Sequence, residues 1–346
     1  MEVRDEAQVG AVRRAVRRYA SEINFSEREM DEIDIVVQET GTNAARYATN
    51  GGMIHFTAPL GAEPGLEIFY TDQGPGIYDL ERVLRDGVST GGSLGAGLGA
   101  VHRLMDEFEI FSTVRGTAQL ASFSRRTTHG TALLLRKWVA SARRADHTHA
   151  PETITARRRY GVWSRPHPGE DRNGDAYFFQ QRAGQTLLAA VDGLGHGQGA
   201  YEAAQVALEV LAEWQGESLD EIFHAAHAAL RPTRGAVMGA CVLDTRRETF
   251  HYAGIGNVEV RVFNAPAPVR PIPNNGTLGA RMDKVRVWSY PWAEGGIVVL
   301  ATDGVSASWD MNDYPGLLQH SPQLLAGILM RDYGRDTDDA TVLVAK

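Results

Sequence analysis

Four aspartates stand where short apolar runs meet turns. Asp175 precedes the aromatic run of NGDAYFF, Asp192 closes the run in LLAAVDGLGHGQGA, Asp303 follows the run in GIVVLATDG, and Asp338 precedes the last run in DTDDATVLVA. Asp-Gly is ordinary turn material, so each position taken alone implies only a turn. Brought together by a fold, four carboxylates at strand ends would repel one another unless cations held them. Oxygen-only ligation of this kind suits Mg²⁺ or Mn²⁺ and does not suit zinc. A water bound to such ions becomes a hydroxide donor near neutral pH, which is the chemistry of in-line attack on phosphorus without a covalent enzyme intermediate.

A second group lies in the first half. Glu39 and Asn43, in QETGTNAARYA, are four apart and share a helix face. Such a pair is ordinary surface unless phosphates lie nearby. YTDQGPGI ends a strand at Asp72 and turns through Gly74 and Gly76, where backbone can approach a flat ligand closely. STGGSLGAGLGAVHRLMDEF then carries five glycines before a helix beginning near Leu98, and the free amides of a helix start suit a polyphosphate. Gly95, Gly97 and Ala100 also satisfy a loose G-x-G-x-x-A dinucleotide pattern, but no apolar strand leads into it. The absence of GxxxxGK[ST] excludes a P-loop.

The elements that must hold these residues are partly readable. Ser26 with Glu29 forms a capping box, flanked by Phe25 and Met30 at the positions of a hydrophobic staple. Met30, Ile33, Val37, Thr40, Ala44 and Tyr47 then recur at helical spacing and predict a buried stripe. A second clear helix is expected from about Gly199 to Trp214. Between the halves, residues 139 to 159 have few large apolar residues and no sustained period, which reads as a linker between domains 1 to 138 and 160 to 346. The 346 residues, 43% hydrophobic and 23% charged, are an ordinary globular composition with length for about two domains. A net charge of −8 argues against general nucleic-acid binding. The single cysteine, Cys241, excludes an internal disulfide and suggests a reducing compartment. Apolar runs fall far short of the roughly 18 residues of a membrane span, and no signal peptide is evident, so a cytoplasmic protein away from the membrane is expected.

Glu39 with Asn43, then DQGPGI, GGSLGAGLGA and HGTALLLRKW, follow one another as do the boxes of the GHKL ATPases. Residues 1 to 138 most closely resemble the RsbT and RsbW class of bacterial protein-serine kinases. The resemblance implies an α/β sandwich that binds ATP, with Asn43 on Mg²⁺, Glu39 as the base for the substrate hydroxyl, and Asp72 reading the adenine amino group. It further implies that Gly74 and Gly76 shape the adenine pocket, that Gly95, Gly97 and Gly99 form the phosphate lid, and that Thr131 lines the adenine side. Gly116-Thr117 and Gly130-Thr131 compete for the last box; the second is preferred because strand-like ALLLRKW follows it. Histidine kinases share this ATP fold but need a dimerising helical segment with the phosphorylated His, for which the sequence before about residue 25 offers no room.

The second half resembles the SpoIIE and RsbX branch of the type 2C, metal-dependent protein phosphatases, on NGDAYF, VDGLGHGQGA, RGAVMGACVLD, YAGIGNVEV, ATDGV and DDATVLV. The resemblance implies a layered α-β-β-α fold. Asp192 would bridge two metals, Asp175 and the Gly193 carbonyl would hold one, and Asp303 and Asp338 the other, with Asp339 ranked behind Asp338. His196 is read as structural and Cys241 as core. The phosphate-gripping Arg of eukaryotic relatives has no secure counterpart, although ARRRY offers candidates.

The expected whole is a bifunctional partner-switching regulator. An ATP-dependent serine/threonine kinase domain and a Mn²⁺- or Mg²⁺-dependent phosphatase domain would act on STAS-domain anti-sigma antagonists or scaffold proteins, with a sigma factor as a further candidate partner. Two alternatives stand beside it: a phosphatase regulated by an ATP-binding sensor that transfers no phosphate, and a direct anti-sigma factor.

Overall fold

Where the capping residues stand, a helix begins. A computed structural model describes residues 1–60, 63–84, 97–114, 129–140 and 159–346. Helix α1 spans Glu6–Glu22 and α2 spans Glu27–Tyr47. At the start of α2 the Glu29 amide donates to Ser26 Oγ at 3.4 Å and the Ser26 amide donates to Glu29 Oε2 at 2.8 Å. Such a cap is worth about 0.5–2 kcal/mol. Met30, Ile33, Val37, Thr40 and Ala44 form the buried stripe as expected, but Tyr47 does not. It is the last residue of the helix, is 50% exposed, and lines a cavity instead of the core.

That sheet holds β1 (Glu2–Val3), β2 (Gly52–Thr57), β3 (Gly65–Asp72), β4 (Glu107–Thr113) and β5 (Gly130–Trp138) in the order β1-β2-β3-β5-β4, every pair antiparallel. Val9, Val12 and Val16 of α1 and Ile33 and Val37 of α2 pack with Ile54, Ile68 and Leu135 of the sheet, making an α/β sandwich. Short helix α3 (Leu80–Leu84) and α4 (Gly97–Leu104) complete it among the described residues. The central strands carry one buried ion pair. Arg136 of β5 lies opposite Glu67 of β3 and donates to it at 2.7 Å, while Glu107 of β4 accepts from its other side at 2.8 Å.

The remaining elements build two stacked sheets. One has the order β14-β10-β9-β8-β7, formed by β7 (Asp175–Arg182), β8 (Gln185–Gly193), β9 (Ala236–Asp244), β10 (Thr249–Ile255) and β14 (Trp288–Pro291). The other has the order β11-β15-β16-β6, formed by β6 (Tyr160–Arg165), β11 (Glu259–Phe263), β15 (Ile297–Ala301) and β16 (Ala340–Ala345); a small ribbon joins β12 (Gly276–Thr277) to β13 (Arg281–Met282). Helices α5 (Gln198–Ala212) and α6 (Leu219–Ala229) cover the first sheet and α7 (Pro322–Tyr333) covers the second, so the layers run α-β-β-α. Both strands and helices are apolar on their buried sides, with Leu187, Ala189 and Val191 of β8 meeting Ala203, Ala207 and Leu211 of α5. The expected helix near Gly199 thus begins one residue earlier and ends two earlier. By backbone proximity the chain divides into Met1–Arg157 with Asp310–His320, and Arg158–Trp309 with Ser321–Lys346. Among the described residues no helix is long and apolar enough to cross a membrane. The segment read as a linker lies, apart from its first two residues and its last, outside the described residues.

Candidate nucleotide and metal sites

A cavity of about 660 Å³ opens beside α2, β3 and α4. Glu39 and Asn43 reach it from one helix face, Asp72 from the end of β3, Gly76 from the turn that follows, Gly97 from the start of α4, and Thr131 from β5. Gly74 and Gly99 are not in its wall. Gly74 instead donates its amide to Asp72 Oδ1 at 2.7 Å, and Gly99 is buried inside α4. Gly95 and the rival pair Gly116-Thr117 lie outside the described residues.

The preferred pair, Gly130-Thr131, has a structural reason for its glycine. Gly130 has φ 127°, and a Cβ there would run into the Asp72 carbonyl, so only glycine lets the two strands close here. The Thr131 amide, one residue on, donates to Asp72 Oδ1 at 3.2 Å. Three residues that hold this region together were not read from the sequence, Tyr70 in the cavity wall and Ser112 and His129 behind it. Tyr70 donates its hydroxyl to Asp72 Oδ2 at 2.7 Å, Ser112 Oγ accepts the Ile77 amide at 2.8 Å, and His129 Nδ1 donates to the Gly74 carbonyl at 2.7 Å. Tyr70 carried a signal, since two residues apart in a strand means the same face; Ser112 and His129 depend on strand pairings that no local pattern reveals.

The acidic residues meet at the other end of the chain's chemistry. Asp175, the first residue of β7, lies directly opposite Asp192 of β8. Like charges so placed destabilise a sheet. Burial, and then the charges of Asp175, Asp303, Asp338 and Asp339, hold the Asp192 carboxyl up at about 8. Burial likewise raises Asp175 to about 7, against the hydroxyl of Thr302, which donates to its Oδ2 at 2.6 Å. Asp303, two residues past β15, accepts from Asn257 at 2.8 Å. Asp338, whose carboxyl is raised by burial and by Asp303, accepts the Asp339 amide at 3.0 Å. Its neighbour Asp339 is the more buried and accepts the His167 amide at 2.8 Å. Gly193 sits one residue beyond Asp192, its amide donated to the Gly174 carbonyl at 3.0 Å.

The test for a metal is what these oxygens lack. Asp175 Oδ1 and Asp339 Oδ2 are buried without a hydrogen-bond partner. Orphaned buried carboxylate oxygens are costly unless a cation takes them. Among the described residues no three His, Cys, Asp or Glu side chains are gathered closely enough to hold a metal ion as they stand. An open, oxygen-only arrangement fits Mg²⁺ or Mn²⁺, which keep several waters and use few protein ligands.

Two other residues singled out earlier have plain surroundings. Cys241 is fully buried in β9, and burial pushes its thiol far up, away from thiolate chemistry. His196 is half exposed, hydrogen-bonded through Nδ1 to Glu170 at 2.8 Å and stacked on His167 at 4.6 Å between centroids.

Comparison with known proteins follows the same division. Residues 3–121 match the family model described as Histidine kinase-like ATPase domain, and residues 182–346 match that of Stage II sporulation protein E (SpoIIE). Serine/threonine-protein kinase RsbT of Bacillus subtilis (strain 168) is 42% identical over 108 residues, covering 31% of this chain and 80% of that protein. A chain solved in connection with the bacterial stressosome, described as a modular system adapted to control secondary messenger signalling, is 30% identical. It covers 54% of this chain and 98% of its own, with a TM-score of 0.51. A crystal structure of RsbX in complex with magnesium is 21% identical over 53% of this chain and 92% of its own, with a TM-score of 0.46. The chain thus joins a kinase-like ATPase domain to a SpoIIE-type phosphatase domain.

Proposed function

We propose, from the premise that this chain belongs to the family of the serine/threonine-protein kinase RsbT and carries a SpoIIE-type phosphatase domain, that it both adds and removes phosphate on a partner's serine or threonine. The partner class is a STAS-domain anti-sigma antagonist or scaffold protein, the kind of protein that partner-switching relatives act on. One observation carries the kinase half: Glu39 lines the same cavity as Asn43 and Asp72. A module that only sensed ATP would have no use for a carboxylate beside the phosphate end of its pocket.

In this reading Asp72 takes the adenine amino group, Gly76 shapes the base pocket, Gly74 acts only through its amide bond to Asp72, and Thr131 flanks the base. Asn43 would hold Mg²⁺, and Gly97, at the start of α4, would meet the phosphates with its helix-start amide, while Gly99 supports that turn from inside the helix. Glu39 accepts the proton of the substrate hydroxyl as its oxygen attacks the γ-phosphorus and the bond to the bridging oxygen of ADP breaks. Phosphoryl transfer needs little beyond this positioning and charge neutralisation.

The phosphatase half rests on the orphaned oxygens of Asp175 and Asp339 and on the raised carboxyl of Asp192. Asp192 would bridge two ions, Asp175 and the Gly193 carbonyl would hold one, and Asp303 and Asp338 the other, with Asp339 the buried competitor of Asp338. When bound, Mn²⁺ or Mg²⁺ would supply an activated water. The chain's own task is orientation: Thr302 fixes the Asp175 carboxylate through Oδ2, and Asn257 does the same for Asp303.

Kinase and sensor are separated by phosphate transfer from γ-labelled ATP to a STAS protein. The assay uses an Asp192→Asn background, in which the product is not erased. Glu39→Gln is expected to keep ATP affinity while cutting transfer by roughly 10²- to 10⁴-fold, as for a lost general base. No label on any STAS partner, with ATP altering only the dephosphorylation rate of the intact protein, would establish the sensor; retention of a sigma factor in place of a STAS protein would establish the anti-sigma factor.

A further inference from the structure

Alternation along β3 puts Tyr70 and Asp72 on one face, turned toward the cavity that both line. Tyr70 is nevertheless 3% exposed, its ring lying against the backbone of β2 at Gly52. A Cβ at Gly52 would come within 2.8 Å of the ring's Cε2, so glycine at this position is what lets the ring lie flat enough to aim its hydroxyl along the strand. The hydroxyl donates to Asp72 Oδ2, while the amides of Gly74 and Thr131 both donate to Oδ1.

An aspartate's terminal torsion is broad, so a carboxylate held at one oxygen alone swings about that contact. Here donors from β3, the following turn and β5 hold both oxygens, and the carboxylate plane is set before any ligand arrives. Facing an ionised acid, the phenol is a donor only. Burial, and then the neighbouring Asp72 charge, raise its own ionisation well above the ordinary tyrosine range, which keeps the proton in place.

We propose that Tyr70 is a positioning residue for purine selection: by pinning Asp72 Oδ2 it makes the cavity discriminate a 6-amino purine from one lacking that group. This rests on the ATP-binding reading, in which Asp72 meets the base. A site built in advance around a polar group of its ligand rejects analogues without it, because its own buried polar atoms are then left unpaired. Without the phenol, the carboxylate relaxes and the amino group loses its value while the triphosphate contacts keep theirs.

The test is a chemical cycle on the full chain by calorimetry, pairing Tyr70→Phe with ATP and with purine riboside triphosphate, which differs from ATP only in lacking the exocyclic amine. The wild type is expected to prefer ATP, and Tyr70→Phe to weaken ATP about tenfold while changing the analogue less than about twofold. Phe keeps the ring, and a poorly folded fraction would lower the measured stoichiometry without altering the ratio of the two affinities. Equal losses for both nucleotides would make Tyr70 a packing residue and overturn the proposal, as would no loss for either. Asp72→Asn is the control for the premise. If it too leaves the ATP-to-analogue ratio at the wild-type value, base reading by Asp72 has failed, and the proposal goes with it; if it collapses the ratio while Tyr70→Phe does not, only the proposal fails.

Discussion

Two buried cross-strand charge groups illustrate opposite uses of the same geometry. In the sheet of the ATPase domain, Glu67 and Glu107 flank Arg136, with N–O distances of 2.7 and 2.8 Å, and the cation needed by the two acids is supplied by the chain. In the phosphatase domain, Asp175 faces Asp192 across a strand pair where no cationic side chain among the described residues pairs with either, and Asp175 Oδ1 and nearby Asp339 Oδ2 are buried without a hydrogen-bond partner there. The first group is complete as folded. The second is stable only as far as its acids stay protonated or receive cations from outside, which marks it as the place where ions enter the chemistry.

The largest expected effect breaks the second group. Asp192→Asn, and equally Asp303→Asn, should abolish Mn²⁺- or Mg²⁺-dependent hydrolysis of p-nitrophenyl phosphate, because the loss of a ligand removes the activated water. Turnover unchanged in both variants would end the phosphatase assignment. The same activity should resist serine- and cysteine-directed reagents, in line with the buried, inert Cys241.

A smaller effect comes from breaking the first group. Arg136→Met removes the guanidinium that Glu67, 3% exposed, is paired with at 2.7 Å. Stranding one member of a buried pair costs about 3–5 kcal/mol, read as an early denaturant midpoint for the ATPase domain. Divalent ions should not restore it, since Glu67, 3% exposed between strands, leaves no room for an ion with its waters. A loss below about 1 kcal/mol would mean that the pair behaves as a solvated one.

The contrast also explains what could be read without coordinates. The α2 cap and most of its stripe follow from spacing of three and four, and the acids at strand ends are visible as apolar runs that stop at Asp. What spacing along the chain does not contain is pairing between distant strands. That Asp175 faces Asp192 depends on the register of the β7–β8 hairpin, which no spacing along either strand states, and the seat of Asp338 and Asp339 depends on β16 lying between β15 and β6, the last more than a hundred positions away. Thr302, Ser112 and His129 were missed for this reason: each acts by a hydrogen bond to a distant segment, and hydroxyl and imidazole groups carry no periodic signature. Tyr47 fits the helical period yet is exposed, because the period gives a helix face and cannot tell a core from the wall of an open cavity.

The smallest effect sharpens the comparison by removing the ions. With a chelator present, Asp192 and Asp175 titrate as a coupled pair, near about 8 and about 7, against roughly 3.9 for an unfolded aspartate. Below about pH 4 both states hold the protons and there is no penalty. As pH rises from there toward 8, the unfolded chain releases protons that the folded site retains, so the unfolded state binds fewer and stability falls; above about 8 the full penalty is present. Other groups titrate in this window too, so the quantity to follow is the difference between wild type and Asp192→Asn. At pH 3, below the unfolded range, the two should melt together. By pH 8.5 in chelator the Asn variant should be the more stable by at least about 1 kcal/mol, or roughly 2–4 °C for a domain of this size. Saturating Mg²⁺ or Mn²⁺ should reverse the order, because only the wild type gains the binding free energy of both ions. Parallel pH profiles for the two proteins in chelator would mean that Asp192 carries no such strain, and that its place opposite Asp175 is as ordinary as that of Glu67 opposite Arg136.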